Sequence, residues 1–157
     1  MEDEILFGIE DSDEQALSPV DVLTEKYLLF TSDNLLFGVT AANVIEIITN
    51  HTITKLPLVP DYVPGIINLR GQIIPIVDIR LLLGNLPHKD CCIMILEVEG
   101  TTIGILVDAV QRMLDIQKDA ILAAPAQNTQ KLSSGICSLP DGQTMLVFDC
   151  PQLLHHT

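Results

Sequence analysis

Tryptophan is absent from this chain, and aromatic residues of all kinds fill only 4% of its 157 positions. Aliphatic side chains must therefore carry the packing, and at 48% hydrophobic content there are enough of them for a core. Basic residues are also scarce: 8 Lys and Arg stand against 21 Asp and Glu, a net charge of −13. That balance excludes nucleic acid, which is held by clustered cations that displace counterions. It equally excludes an anionic membrane surface, so no direct membrane contact is expected. No run approaches the ~18 apolar residues of a membrane span, and no basic n-region precedes an apolar h-region. A soluble, cytoplasmic protein is the expectation.

Reactive constellations are missing as well. His51, His88, His155 and His156 fall in loops or at the tail, without metal-ligand spacing apart from one adjacent pair. Cys91 and Cys92 are adjacent, and adjacent strand positions face opposite ways. With Cys137 and Cys150 they lie among apolar neighbours, where cysteine acts as a small hydrophobe; free thiols are expected. Ser133-Ser134-Gly135 has no His and Asp in a triad context, and no glycine run could cradle phosphate. No enzyme, cofactor or metal site is expected.

What charge there is lies unevenly. Residues 1–25 hold nine acids (Glu2, Asp3, Glu4, Glu10, Asp11, Asp13, Glu14, Asp21, Glu25) and no base, leaving the body at −4. This segment reads as a solvated, disordered leader, although Ile5-Leu6-Phe7 could dock on something. From Lys26 the chain turns to short β-rich runs. Tyr27–Thr31 and Leu35–Val39 flank a turn, and residues 41–48 open as a helical turn and run on as a strand. Ile53–Pro57 reads as a short strand, and residues 59–64 as a proline-punctuated loop. Residues 65–78 form a hairpin over Arg70-Gly71, with Gly71 free to take φ > 0. Pro75 cannot donate to a ladder and belongs at an edge or bulge. Asp78 is a good N-cap for the helical turn that Gly84 stops. A second hairpin turns over Glu99-Gly100. Strands follow near Met113–Ile116, Gly135–Leu139 and Thr144–Phe148, and then a terminal turn at Pro151–Leu154.

The second half repeats the first. At an offset of 66, Gly38 falls on Gly104, Val44 on Val110 and Ile47 on Met113; at 70, Gly65 falls on Gly135; at 71, Gly71 falls on Gly142 and Asp78 on Asp149. Duplicated units of short strands predict a mainly β protein of two small barrels that share a core. The equivalence of Asp78 and Asp149 favours capping over acid–base work. Two residues have no like partner: Arg112 stands opposite Glu46, and a longer turn without arginine stands opposite Arg70. That asymmetry marks Glu46 and Arg70 as candidates for function.

The spaced pattern Gly65, Asn68-Leu69-Arg70-Gly71, Pro75, Val77-Asp78 and Arg80 resembles the signature of the CheW-like chemotaxis coupling proteins. Phe37-Gly38-Val39, Val44-x-Glu46-Ile47, Gly104-Ile105-x-Val107-Asp108 and the Gly135 hairpin agree with it in order, over about residues 26–154. The resemblance implies two linked five-stranded SH3-like β-barrels with short helical turns, the first over 26–84 and the second over 91–154. Exchange of strands between them is left open, and 155–157 form a tail. It implies a non-enzymatic adaptor, cytoplasmic and recruited to membrane-associated receptor arrays, that couples chemoreceptors to the histidine kinase CheA. Val44, Glu46, Ile47, Arg70 and Val107 would meet the receptor's hairpin tip in the groove between the barrels. Ile53, Lys55, Leu58, Gly65 and Asn68, with Thr54 beside them, would meet the kinase's regulatory domain. A related pathway driving pili-based motility, a peptide- or small-molecule-binding double barrel, and a metal-dependent enzyme are the alternatives.

Overall fold

A computed structural model describes residues 23–49, 51–87, 92–123 and 132–154. The expected leader up to residue 22, His88, Cys91, His155 and His156 lie outside the described residues. The first strand, β1 (Thr24–Ser32), starts two residues before Lys26 and turns through Asp33-Asn34 into β2 (Leu35–Thr40). A 3-10 turn at Ala41–Asn43 leads to β3 (Val44–Ile48). After a long loop come β4 (Gly65–Leu69), β5 (Gln72–Asp78) and the four-residue helix α1 (Ile79–Leu82). The second half holds β6 (Cys92–Val98), β7 (Thr101–Val107), β8 (Ala109–Gln117) and the two-residue β9 (Leu122–Ala123). It ends with β10 (Ser133–Ser138), β11 (Thr144–Phe148) and helix α2 (Cys150–Leu154).

These strands form two sheets, ordered β8-β1-β2-β11-β10-β9 and β3-β6-β7-β5-β4. Each half lends its opening hairpin to the sheet that holds the other half's remaining strands. The expected closed SH3-like barrels are not found. Neither sheet closes, because no backbone ladder joins β3 to β4 or β8 to β9. Among the described residues, an isolated bridge joins Thr54, in the loop after β3, to Ile66 on β4, and one side-chain pair joins β3 to the β4–β5 turn. The strand expected over Ile53–Pro57 shrinks to that bridge, since Pro57 and Pro60 cannot donate and Leu58 takes a left-handed φ of 61°.

The repeated glycines have one physical cause. β7 runs parallel to β5 with Gly104 opposite Ile76, and β2 runs parallel to β11 with Gly38 opposite Val147. A Cβ on Gly104 would come within 2.6 Å of Ile76 Cδ1, and one on Gly38 within 2.3 Å of Met145 Sδ. Pro75 sits on an inner strand, opposite Ile66 of β4 and one residue before the pairing with β7 begins at Ile76. At that position β5 has a partner on one side only, so no ladder bond is lost.

Three clusters of buried side chains fill the molecule. One lies with each sheet, and the largest lies between them, drawing Phe30, Phe37 and Val39 from one half and Met94, Ile103, Ile105 and Phe148 from the other. Alternate residues of β1 serve two of these clusters, Leu28 and Phe30 the shared core and Tyr27 and Leu29 the local one. Both faces are covered, so the strand reads as an unbroken apolar run. Phe30 stacks on Phe37 at 5.4 Å, and Phe148 meets both rings edge-on at 5.6 and 5.8 Å. The few aromatics are concentrated where the two sheets meet.

Candidate functional site

Arg70 and Gly71 form a two-residue turn with φ of 53° and 83°, the left-handed pair that a tight hairpin requires. Asn68 Oδ1 accepts the Gly71 N–H at 3.0 Å and closes the turn from below. Glycine or asparagine suits the first turn position better than arginine does, so Arg70 is held there at some conformational cost. Its guanidinium reaches Glu46 in fork geometry, Nη1 to Oε1 at 2.7 Å and Nη2 to Oε2 at 3.2 Å. Glu46 lies on β3 and Arg70 at the tip of β4–β5, so this pair crosses the gap between the open edges of the second sheet. The Arg70 hydrogen bond holds the Glu46 carboxyl below the usual range, and Glu46 in turn raises the guanidinium's own value. The arginine is mostly exposed and free to exchange partners, with 71% of its side chain in solvent.

A bulge between Val44 and Glu46 shapes the strand beside it. It turns Ile45 outward to 49% exposure, with Ile47 at 41%, so an exposed isoleucine stands on each side of Glu46 along the strand. Of the residues expected at a receptor, Glu46 and Arg70 come together in the ion pair, while Ile47, next along the strand, is exposed on the opposite face. Val44 is half-buried against the shared core, and Val107 is 0% exposed within it, beneath the surface and out of a partner's reach. Ile45 is a residue that sequence reasoning missed, because a bulge leaves no local signature there.

The second expected patch lies along the loop after β3. Lys55 is exposed, and Leu58 is fully exposed at 105% in its left-handed conformation. Ile53 is half-buried against the second sheet's own cluster. Gly65 is buried: a Cβ there would stand 2.1 Å from Thr54 O, so it shapes the loop without offering a surface. Asn68 serves the hairpin turn. Leu56 and Ile73, exposed at 40% and 55%, were not anticipated. An apolar groove of about 520 Å³ runs past this loop, lined by Leu56, Val59, Pro60, Val63, Ile66, Pro75, Thr101 and Leu154.

One argument from the repeat needs correction. Arg112 on β8 pairs with Asp141, in the turn between β10 and β11, at 3.0 Å. These are the positions equivalent to Glu46 and Arg70. The second half therefore keeps the edge-crossing pair with its charges reversed, and a fold-holding role for such a pair is common to both halves. The offset that aligns Gly71 with Gly142 also aligns Arg70 with Asp141, so the signal was present in the sequence. The lasting differences are polarity and one flank: Ile45 stands where the second half has Gln111, whereas Ile47 and Met113 are both apolar and exposed.

Among the described residues no three His, Cys, Asp or Glu side chains are placed to hold a metal ion. Cys92, Cys137 and Cys150 are free thiols, raised above the ordinary value by burial. No described helix is long and apolar enough to cross a membrane.

Comparison with known proteins points one way. The family model for the CheW-like domain matches residues 26–157. The chain is 30% identical over 108 residues to a chemotaxis protein CheW of Klebsiella aerogenes, covering 67% of this chain and 65% of that protein. Its likeness to the CheW of Thermotoga maritima is 29% over 138 residues, 85% of this chain and 91% of the other. The crystal structure of the scaffolding protein TtCheW from Thermoanaerobacter tengcongensis superposes with a TM-score of 0.74 at 31% identity, covering 79% of this chain and 88% of that one.

Proposed function

We propose, for a chain that belongs to the CheW-like family, an assignment of its two surfaces to two partners. The protein is a non-enzymatic adaptor linking chemoreceptors to the kinase CheA. The surface of Ile45, Glu46, Ile47 and Arg70 receives the receptor's cytoplasmic hairpin tip: the isoleucines supply apolar contact, and the charged pair sets register. The loop with Ile53, Lys55 and Leu58, shaped by Gly65 and Asn68, receives the kinase's regulatory domain. The adaptor works in the cytoplasm and joins the membrane-associated array through the receptor.

One observation carries the receptor assignment. The same edge-crossing geometry occurs twice with opposite polarity, and only the copy with glutamate on the strand is flanked by exposed isoleucines. The double reversal Glu46→Arg/Arg70→Glu reproduces the polarity that the second half already carries, so it keeps the clamp while inverting its field. The expected result is an unchanged melting curve with receptor-tip binding lost and kinase binding kept. Full receptor binding by the reversed pair would overturn the assignment, as would loss of the fold.

A further inference from the structure

A second charged cluster lies where the two sheets are joined. Arg80, on α1 at the end of the second sheet's β5, extends Nη2 to Asp33 Oδ1 at 3.2 Å and Nη1 towards Asp108 Oδ1 at 3.6 Å. Asp33 is at the tip of β1–β2 in the first sheet, in a left-handed conformation with φ of 55°. Asp108 is the single residue between β7 of the second sheet and β8 of the first. The two residues are also tied to each other, because the Asp33 backbone N–H donates to Asp108 Oδ2 at 2.9 Å. Asn85, just beyond α1, donates to the remaining Asp33 oxygen. One guanidinium thus fastens a hairpin tip, a helix and a crossover belonging to different sheets.

The other half has nothing of the kind. The positions equivalent to Asp33, Arg80 and Asp108 are Glu99, Pro151 and Ala42. The corresponding crossover, at Ala41–Asn43, is held by a neutral bond from Asn43 Nδ2 to Glu97 O at 2.9 Å. Unlike the edge-crossing pairs, the Arg80 cluster is not part of what the repeated fold requires. It is also not arranged for stability alone: Arg80 Nε is buried with no hydrogen-bond partner among the described residues. We propose that Arg80 is a positioning residue, a latch that fixes the angle between the two sheets and with it how the receptor surface on the second sheet is set beside the first sheet.

The link to binding rests on the receptor assignment above; the latch itself does not. Removing the guanidinium takes away the bridge from α1 to Asp33 and to Asp108 on the one-residue crossover. In Arg80→Met, which keeps the apolar stem, backbone residual dipolar couplings of the full chain should still fit each sheet separately and no longer fit both with one alignment tensor. Receptor-tip binding should weaken at least about fivefold in Arg80→Met, with kinase binding unchanged. A single tensor in Arg80→Met overturns the latch whatever happens to binding. Rotated sheets with undiminished receptor binding overturn its role in receptor binding. If the wild-type chain itself fails to bind a receptor tip, the receptor assignment falls while the couplings still decide the latch. Should Arg80→Met not fold, Arg80→Lys, which cannot fork to both carboxylates, takes its place in the same measurements.

Discussion

Gly65 is where a single added methyl group would test the architecture most directly. Its φ is 154°, and an alanine Cβ there would lie 2.1 Å from Thr54 O and 2.7 Å from Thr54 C. That neighbour is backbone, so it can yield only if the chain itself moves, by about 1 Å or more to restore an ordinary contact. Two hydrogen bonds hold it in place: Thr54 N to Ile66 O at 2.8 Å and Ile66 N to Thr54 O at 2.9 Å. Losing both costs about 1–3 kcal/mol, and the strained alanine backbone adds about 1–3 kcal/mol. Gly65→Ala should therefore lose about 2–6 kcal/mol in a urea titration, and the melting point should fall by roughly 6–18 °C. Gly71→Ala is the control. Nothing lies within 4 Å of that position, so only its φ of 83° should count, at about 1–2 kcal/mol. Because Ile53, Lys55 and Leu58 hang on the same bridge, kinase binding should fall with Gly65→Ala while receptor binding is kept. An unchanged melting point, with Thr54 and Ile66 amides still protected from exchange, would refute the reasoning.

Lys55→Glu should weaken kinase binding more than receptor binding in paired affinity measurements; equal losses would refute two separate surfaces. The Glu46 carboxyl is held low by its hydrogen bond from Arg70. A depressed native value means that the pair's stabilisation is complete above the ordinary carboxylate value of ~4.3 and is lost as pH falls through the lower native value. Carbon-13 titration of Glu46 should show that depression, and Arg70→Ala should abolish it; a midpoint indifferent to Arg70→Ala would show that the pair does not form in solution. The Cys150 thiol, pushed up to about 11 chiefly by burial, should resist alkylation at pH 8 until the chain unfolds. Peptide mapping that finds Cys150 labelled as fast in the native protein as in urea would refute its placement.

Much of the candidate site was legible before any coordinates. The Arg70-Gly71 turn follows from glycine's tolerance of positive φ, and Asp78 caps α1 as its position suggested, accepting the Arg80 N–H at 3.0 Å. The second hairpin turns over Glu99-Gly100, and β11 runs over Thr144–Phe148 as expected. Other features were hidden for identifiable reasons. The Ile45 bulge and the reduction of residues 53–57 to one bridge depend on which strand lies alongside. Buried Val107 looked the same in sequence as exposed Ile47, since both are apolar residues in β-rich runs. Asp141 was in plain view, but its pairing with Arg112 becomes visible only when β8 and the β10–β11 turn are brought together across an open sheet.

Taken alone, the amino-acid order settled what neighbours along the chain can settle: where strands begin and turn, which glycines repeat, that two like halves exist, and which family their spacing resembles. Alternation and turn chemistry act over a few residues, and so they specify the faces of a strand without naming its partner. Tertiary structure alone decided that each opening hairpin crosses into the other half's sheet, that neither sheet closes, and that Arg80 gathers carboxylates from both. Those outcomes depend on how distant apolar faces share one core and which edges remain unpaired once it is full, a competition among contacts remote in sequence.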